Sequence, residues 1–205
     1  MYKSQITAKE IEKLEFISFP GKIYVIDRLG VEFNKAINYL RTQKVLGFDT
    51  ETRPCFSAGQ PQNKVALLQL SSHNRAYLFR INSIGMHRRL CNLMSNPNII
   101  KVGAAINDDI KGLQKHKTFK PASFIDLQKI VGDYGILDKS VKKMSAIILG
   151  YNISKSQQLS NWEASELSQG QQMYAATDAW VCRAMYLKLL NTSNLSAKRN
   201  EGQSS

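Results

Sequence analysis

Six short segments between residues 22 and 126, rich in β-branched, aromatic and other apolar residues, restrict the fold of this chain more than any other feature. They cover residues 22–27 (KIYVID), 45–50 (VLGFDT), 64–71 (KVALLQLS), 75–79 (RAYLF), 99–102 (IIKV) and 123–126 (SFID). Segments of this length and composition read as strands. Only a short polar turn, SSHN, separates the third from the fourth, so these two are expected to form a hairpin. Most of the other gaps carry helical spacing, as in residues 31–43, where Phe33, Ala36, Ile37 and Leu40 share one face. Residues 86–94, 107–116 and 168–190 are also predicted helices, and residues 129–149 are helical in parts with a break near Gly132 and Gly135. Strands that first pair as neighbours and then alternate with helices build a mixed sheet covered by helices. The expected class is α/β, with a five- to six-stranded sheet.

A length of 205 residues with 43% hydrophobic composition supports one buried core and is short for two domains. Residues 22–190 are expected to form that domain. Residues 1–21 read as an N-terminal extension holding a short helix over residues 7–14, with Thr7 as N-cap and Glu10 three residues on. From Asn191 the composition turns to Ser, Asn, Lys and Gly, which predicts a mobile tail over residues 191–205.

Composition narrows the function classes. Cys55, Cys91 and Cys182 form no CxxC pair and no zinc spacing, which argues against a secreted disulfide scaffold. The first sixteen residues are charged throughout and lack the apolar stretch of a signal peptide. No run approaches the roughly 18 apolar residues that span a bilayer. A soluble, cytoplasmic protein with no membrane partner is the expectation. The formal net charge of +12 points to a polyanion, because basic side chains that neutralise phosphates release condensed counterions.

Against that basic background three acid-bearing segments stand out. In VLGFDTETRP, Asp49 ends an apolar run and Glu51 follows at i+2, so both carboxylates project to one face of an extended chain. Like charges so placed raise each other's pKa unless a cation lies between them. In KVGAAINDDIKGL, Asp108 and Asp109 begin a helix after a turn of small residues, Gly103, Ala104 and Ala105, that leaves room for close backbone approach. In YAATDAW, Tyr174 and Asp178 are four apart on a helix and share a face. Read singly, each acid has a local explanation as a turn residue, a helix cap or a surface pair. Together they supply an oxygen-rich set suited to Mg²⁺ or Mn²⁺. Two such ions roughly 3.5–4 Å apart clamp the attacking and leaving oxygens of a phosphodiester. His73, His87 and His116 are scattered and offer no zinc site.

FDTET, VGAAINDDIKGL and YAATDAW, in this order, resemble the three exonuclease motifs of the DEDD superfamily of 3′–5′ exonucleases. The flank LSNWEASELSQGQQ before the third motif is most similar to the Werner syndrome exonuclease group, and the likeness runs from about residue 22 to residue 190. The resemblance implies a ribonuclease H-like fold, two bound divalent cations (Mg²⁺ or Mn²⁺), and release of nucleoside 5′-monophosphates from single-stranded 3′ ends of DNA or RNA. It assigns Asp49, Glu51, Asp109 and Asp178 as metal ligands, with Asp109 preferred to Asp108 by its spacing from Ile106. Tyr174 marks the tyrosine subclass; the other subclass has histidine five residues before the last acid, where Met173 stands here. An acid at Asp108, where relatives often carry a small residue, is a departure. Two further residues are expected to meet substrate: Phe56, as a wedge against the terminal base, and Gln69, facing a substrate-side groove. Asp126 reads as structural, and Trp162 as a packing anchor. No helicase or polymerase module is expected to be attached. A catalytically silent nucleic-acid-binding protein is the alternative; missing acids would mark it, and none is missing.

Overall fold

The computed structural model describes residues 2–55 and 63–202, with side chains described as far as residue 192. Six strands form one sheet: β1 (Lys22–Ile26), β2 (Val45–Thr52), β3 (Val65–Ser71), β4 (Arg75–Arg80), β5 (Ile100–Gly103) and β6 (Phe124–Asp126). Their spatial order is β1-β4-β3-β2-β5-β6. β3 runs against the other five, since it pairs antiparallel with β2 and β4 while β1–β4, β2–β5 and β5–β6 pair in parallel. The expected hairpin is β3–β4, and the mixed α/β sheet is six-stranded.

Helices cover both faces. On one side α2 (Val31–Leu40), α4 (Arg88–Met94) and α5 (Asn107–Gln114) pack through Phe33, Ile37, Leu40, Leu90 and Leu113 against Phe48, Leu68, Leu70 and Phe79. On the other lie α7 (Val141–Ile148) and the long α8 (Gln169–Gly202). Shorter pieces are α1 (Ala8–Glu12), α3 (Ile81–Ile84), α6 (Leu127–Ile130) and a 3₁₀ turn over Val131–Tyr134, which ends at Gly135 with φ 77°. β4 shows the expected alternation: Tyr77 and Phe79 face the α2 side, Ala76 and Leu78 the α8 side. Burial of each large apolar side chain contributes roughly 1.5–3 kcal/mol, so both faces are needed to hold the sheet. One strand lysine is enclosed too. Lys101 donates to the carbonyls of Asn96 (2.9 Å) and Ile99 (2.7 Å) and lies over the Phe124 ring; burial pulls its pKa down to about 8.

Local chemistry sets the helix starts. Thr7 Oγ1 accepts from Glu10 N–H while Thr7 N–H donates to the Glu10 carboxylate, the capping box read from the sequence. Ser168 and Gln171 exchange the same pair of bonds at α8, 3.2 and 3.0 Å. The helix then continues past Asn191 to Gly202, within the stretch expected to be a mobile tail; extending an established helix costs far less than starting one. Residues 2–21, read as part of an N-terminal extension, pack onto the sheet and helices. Ile6 and Ile11 lie against Ala146, Phe19 N–H donates to Thr177 Oγ1 (3.0 Å), and the Phe19 ring meets Trp180 edge-on. Among the described residues no helix is long and apolar enough to cross a membrane.

One close approach between layers is at Gly47. A Cβ on this β2 residue would overlap the backbone carbonyl of Ala179 in α8, and Ala175, Ala176 and Ala179 are all fully buried there. A second tight place is Gly103, whose Cβ would press on the Phe48 carbonyl and Ile106, in keeping with the small-residue turn. Gly47→Val should therefore destabilise the fold by about 1–3 kcal/mol or more through overpacking, read as a lowered urea midpoint. An unchanged midpoint would contradict the α8–β2 contact.

Candidate active site

Because side chains alternate along a strand, Gly47, Asp49 and Glu51 share the α8 face of β2, while Phe48 and Thr50 face α5. The Gly47–Ala179 contact brings α8 down onto that face. Tyr174 and Asp178, one helical turn apart, thereby reach the end of β2. Asp49, Glu51 and Asp178 each place a carboxylate oxygen within 4.8 Å of the others. Among the described residues they are the one set of His, Cys, Asp or Glu side chains close enough to share an ion. Tyr174, almost wholly buried, shares a hydrogen bond with Asp178 and rests its ring 6.0 Å from that of Trp162.

The electrostatics are those of an uncompensated anion cluster. Burial, then the charges of Asp178 and Asp109, pushes the Asp49 carboxyl well above the usual carboxylate range. Burial, then the charges of Asp49, Asp178 and Asp109, pushes Glu51 up to about 10. Burial raises Asp178 to about 7, against the opposing pull of the Tyr174 hydrogen bond and the Lys155 charge. Burial and the surrounding carboxylates hold the Tyr174 proton on far above the ordinary phenol range. Oxygen donors alone, converging and repelling, fit a hard divalent cation and supply no soft ligand for a zinc or copper ion.

Asp109 stands beside this triad rather than in it. It lies in the first turn of α5, and its Oδ1 accepts from the Thr50 hydroxyl at 2.5 Å, across β2 from Asp49 and Glu51. Burial raises its pKa, and Thr50 opposes that shift. Asp108 points away: its side chain is 95% exposed and pairs with Lys111 at 3.5 Å. Asp126 is structural, its Oδ1 accepting from Ala105 N–H, where φ is +58°, and from Gln128 N–H at the start of α6. That bond holds the turn leading into α5. Trp162 is completely buried, packed among Leu67, Leu78 and Leu167.

Gln69 requires a correction. It sits on β3, one of the two central strands, opposite Asp49, and its side chain is wholly enclosed between sheet and α8 rather than facing a groove. Phe56 lies outside the described residues. Sequence reasoning also passed over Gly47 and Thr50. The signal for the first was a glycine inside a strand two residues before an acid; for the second, a hydroxyl between two acids, on the opposite face.

A six-stranded mixed sheet with a carboxylate cluster between β2 and the longest helix defines a class of α/β domain with a candidate cation site, and the comparisons show its family. A 3′–5′ exonuclease family model matches residues 29–193. Exonuclease 3′-5′ domain-containing protein 2 of Drosophila melanogaster is 33% identical over 192 residues, covering 92% of this chain and 31% of the relative. The bifunctional 3′-5′ exonuclease/ATP-dependent helicase WRN of Mus musculus is 31% identical over 189 residues, covering 88% of this chain and 13% of the relative. The chain thus spans about a third or less of the length of these relatives. The crystal structure of Escherichia coli RNase D superposes with a TM-score of 0.74 at 22% identity, over 86% of this chain and 46% of that one, and shares the ribonuclease H-like fold. The chain belongs to the 3′–5′ exonuclease family.

The raised carboxyls predict an unusual pH response. A carboxyl with a folded pKa above its unfolded value binds more protons in the folded state. Its contribution to stability is full below the unfolded pKa and lost as pH rises through the folded one. With Asp178 at about 7 and Glu51 at about 10, metal-free protein should melt at progressively lower temperature as pH rises from about 5 to about 9. Asp178→Asn should flatten that slope, and saturating Mg²⁺ or Mn²⁺ should raise the melting temperature most at the alkaline end. A slope unaffected by both would contradict the cluster's electrostatics.

Proposed function

We propose that this chain is a two-metal-ion 3′–5′ exonuclease that hydrolyses phosphodiester bonds from the 3′ end of DNA or RNA and releases nucleoside 5′-monophosphates. The observation that carries the reading is the convergence of Asp49, Glu51 and Asp178 within 4.8 Å, with a protonated Tyr174 bonded to the third acid. Family membership and the strongly basic remainder of the chain support it.

Asp49, Glu51 and Asp178 would hold one divalent cation, and Asp109, whose charge reaches Asp49, would help to hold a second. Bound Mg²⁺ or Mn²⁺ supplies Lewis acidity, lowering the pKa of water and stabilising the leaving 3′ oxygen. The residues do the rest. Tyr174 keeps its proton and donates a hydrogen bond to Asp178; with Asp178 held by a cation that hydroxyl would be released to donate to the scissile phosphate or the incoming water, rather than act as a base. Thr50 holds the Asp109 carboxylate in a single orientation beside the cluster. The glycine–alanine contact between β2 and α8 fixes the strand acids against the helix acid, and such preorganisation is worth more than the donors' number.

Degradation of 5′-labelled single-stranded DNA and RNA tests this. A ladder shortening from the 3′ end is expected with Mg²⁺ or Mn²⁺, with mononucleotide product and full loss in chelator. Asp49→Ala should lower the rate by at least about 100-fold, and Tyr174→Phe by roughly 100-fold, with folding intact. Strand binding without metal-dependent shortening of either polymer would instead mark a silent nucleic-acid-binding protein.

A further inference from the structure

Two lysines share the cleft with the acids. Lys155 and Lys142 line a cavity of about 280 Å³ together with Asp49, Glu51, Tyr174 and Asp178. Among the described residues neither ammonium group makes an ion pair, whereas Lys3, Lys35, Lys111 and Lys143 all do. An exposed ion pair gains at most about 1 kcal/mol, so an exposed lysine at the lip of an anion cluster stays available to an incoming phosphate. Lys155 is close enough for its charge to act on Asp178, yet it stays unpaired. The backbone around it is also set. Asn152 N–H donates to the Glu15 carbonyl (2.9 Å), Ile153 is buried, and Ser154 Oγ accepts from Ser156 N–H (3.1 Å) while bonding its hydroxyl (2.8 Å). Lys155 sits at the centre of that turn.

A charge count shows what such a cation is for. The four proposed ligand carboxylates carry four negative charges, which two divalent cations balance. Tyr174, holding its proton, adds none. The phosphodiester arrives with one further negative charge. During hydrolysis a water oxygen bonds phosphorus, the P–O3′ bond breaks with its electron pair on O3′, and water's proton leaves to solvent while O3′ takes one up. The phosphoryl oxygens gather charge on the way, and the carboxylate set cannot meet it.

We propose that Lys155 is a further catalytic residue of the exonuclease reaction, its ammonium group donating to a non-bridging oxygen of the scissile phosphate and binding the phosphate of the nucleoside 5′-monophosphate product. The proposal rests on the exonuclease reading given above. Lys155 supplies charge and no proton. Lys142, half-buried on the same wall, contributes more weakly, since no carboxyl of the cluster registers its charge.

The test compares Lys155→Met, Lys155→Arg and Lys142→Met for strand hydrolysis, and for calorimetric binding of adenosine 5′-monophosphate and of adenosine with Mg²⁺ present. Lys155 is exposed, so the variants should melt with the parent protein. Lys155→Met should lower kcat roughly 100-fold with little change in KM, and weaken the monophosphate about tenfold while leaving adenosine unchanged. Lys155→Arg should recover most of both losses, and Lys142→Met should cost less than Lys155→Met. A kcat within about threefold of the parent would overturn the assignment. So would equal weakening of monophosphate and nucleoside, which would mean packing rather than charge, or an arginine variant no better than methionine. If the parent protein hydrolyses no strand yet its monophosphate affinity falls with Lys155→Met, the exonuclease reading fails while the phosphate contact stands.

Discussion

The site depends on one close contact, the backbone of α8 lying directly on Gly47 of β2. Any side chain at that position would hold the helix off the strand, because its Cβ already overlaps the Ala179 carbonyl. Two residues further on, the same face of β2 carries Asp49, and four residues further Glu51. One residue before Ala179 the helix carries Asp178. A van der Waals contact between backbones therefore sets the separation of carboxylates that belong to segments more than a hundred residues apart in the chain. Ala175 and Ala176 extend the small surface, and Gly103 repeats the device on the neighbouring strand, letting β5 close on the Phe48 carbonyl.

That geometry is electrostatically costly by itself. Burial and mutual repulsion push every carboxyl of the cluster up, Glu51 as far as about 10. Acids are tolerated at such density where a cation compensates them. The remainder of the chain leans the other way, with 28 Lys and Arg against 16 acids, several of which are spent in the cluster. A site neutralised by bound cations inside a basic surface presents a polyanion with attraction throughout its approach. The N-terminal segment contributes as well, since its Phe19–Thr177 bond and Glu15–Asn152 bond brace both α8 and the turn that carries Lys155.

Much of this was legible in the sequence, for identifiable reasons. The strands could be placed because their apolar runs are short and bounded by turns, and the hairpin because SSHN leaves no room for a crossover. The acids were recognisable only jointly: an i, i+2 pair on a strand and an i, i+4 pair on a helix are each ordinary. The failures have equally physical causes. Gln69 looked like a groove residue because a polar side chain interrupts LLQL, but periodicity does not reveal which strand is central and covered on both faces. Lys101 gave no sign of being enclosed, because its satisfaction comes from backbone carbonyls that no side-chain pattern encodes. Thr50 was passed over because its role lies across the strand from the acids that flank it.

The central claim is that Asp49, Glu51 and Asp178 form a divalent-cation site whose acids are partly protonated until the ion arrives. Calorimetric titration of Mn²⁺ near neutral pH, in buffers of different ionisation enthalpy, measures both the binding and the protons that accompany it. Saturable binding with net proton release, both lost in Asp49→Asn, is the predicted result. Binding that releases no protons and survives that substitution, or no binding at all, would contradict the account.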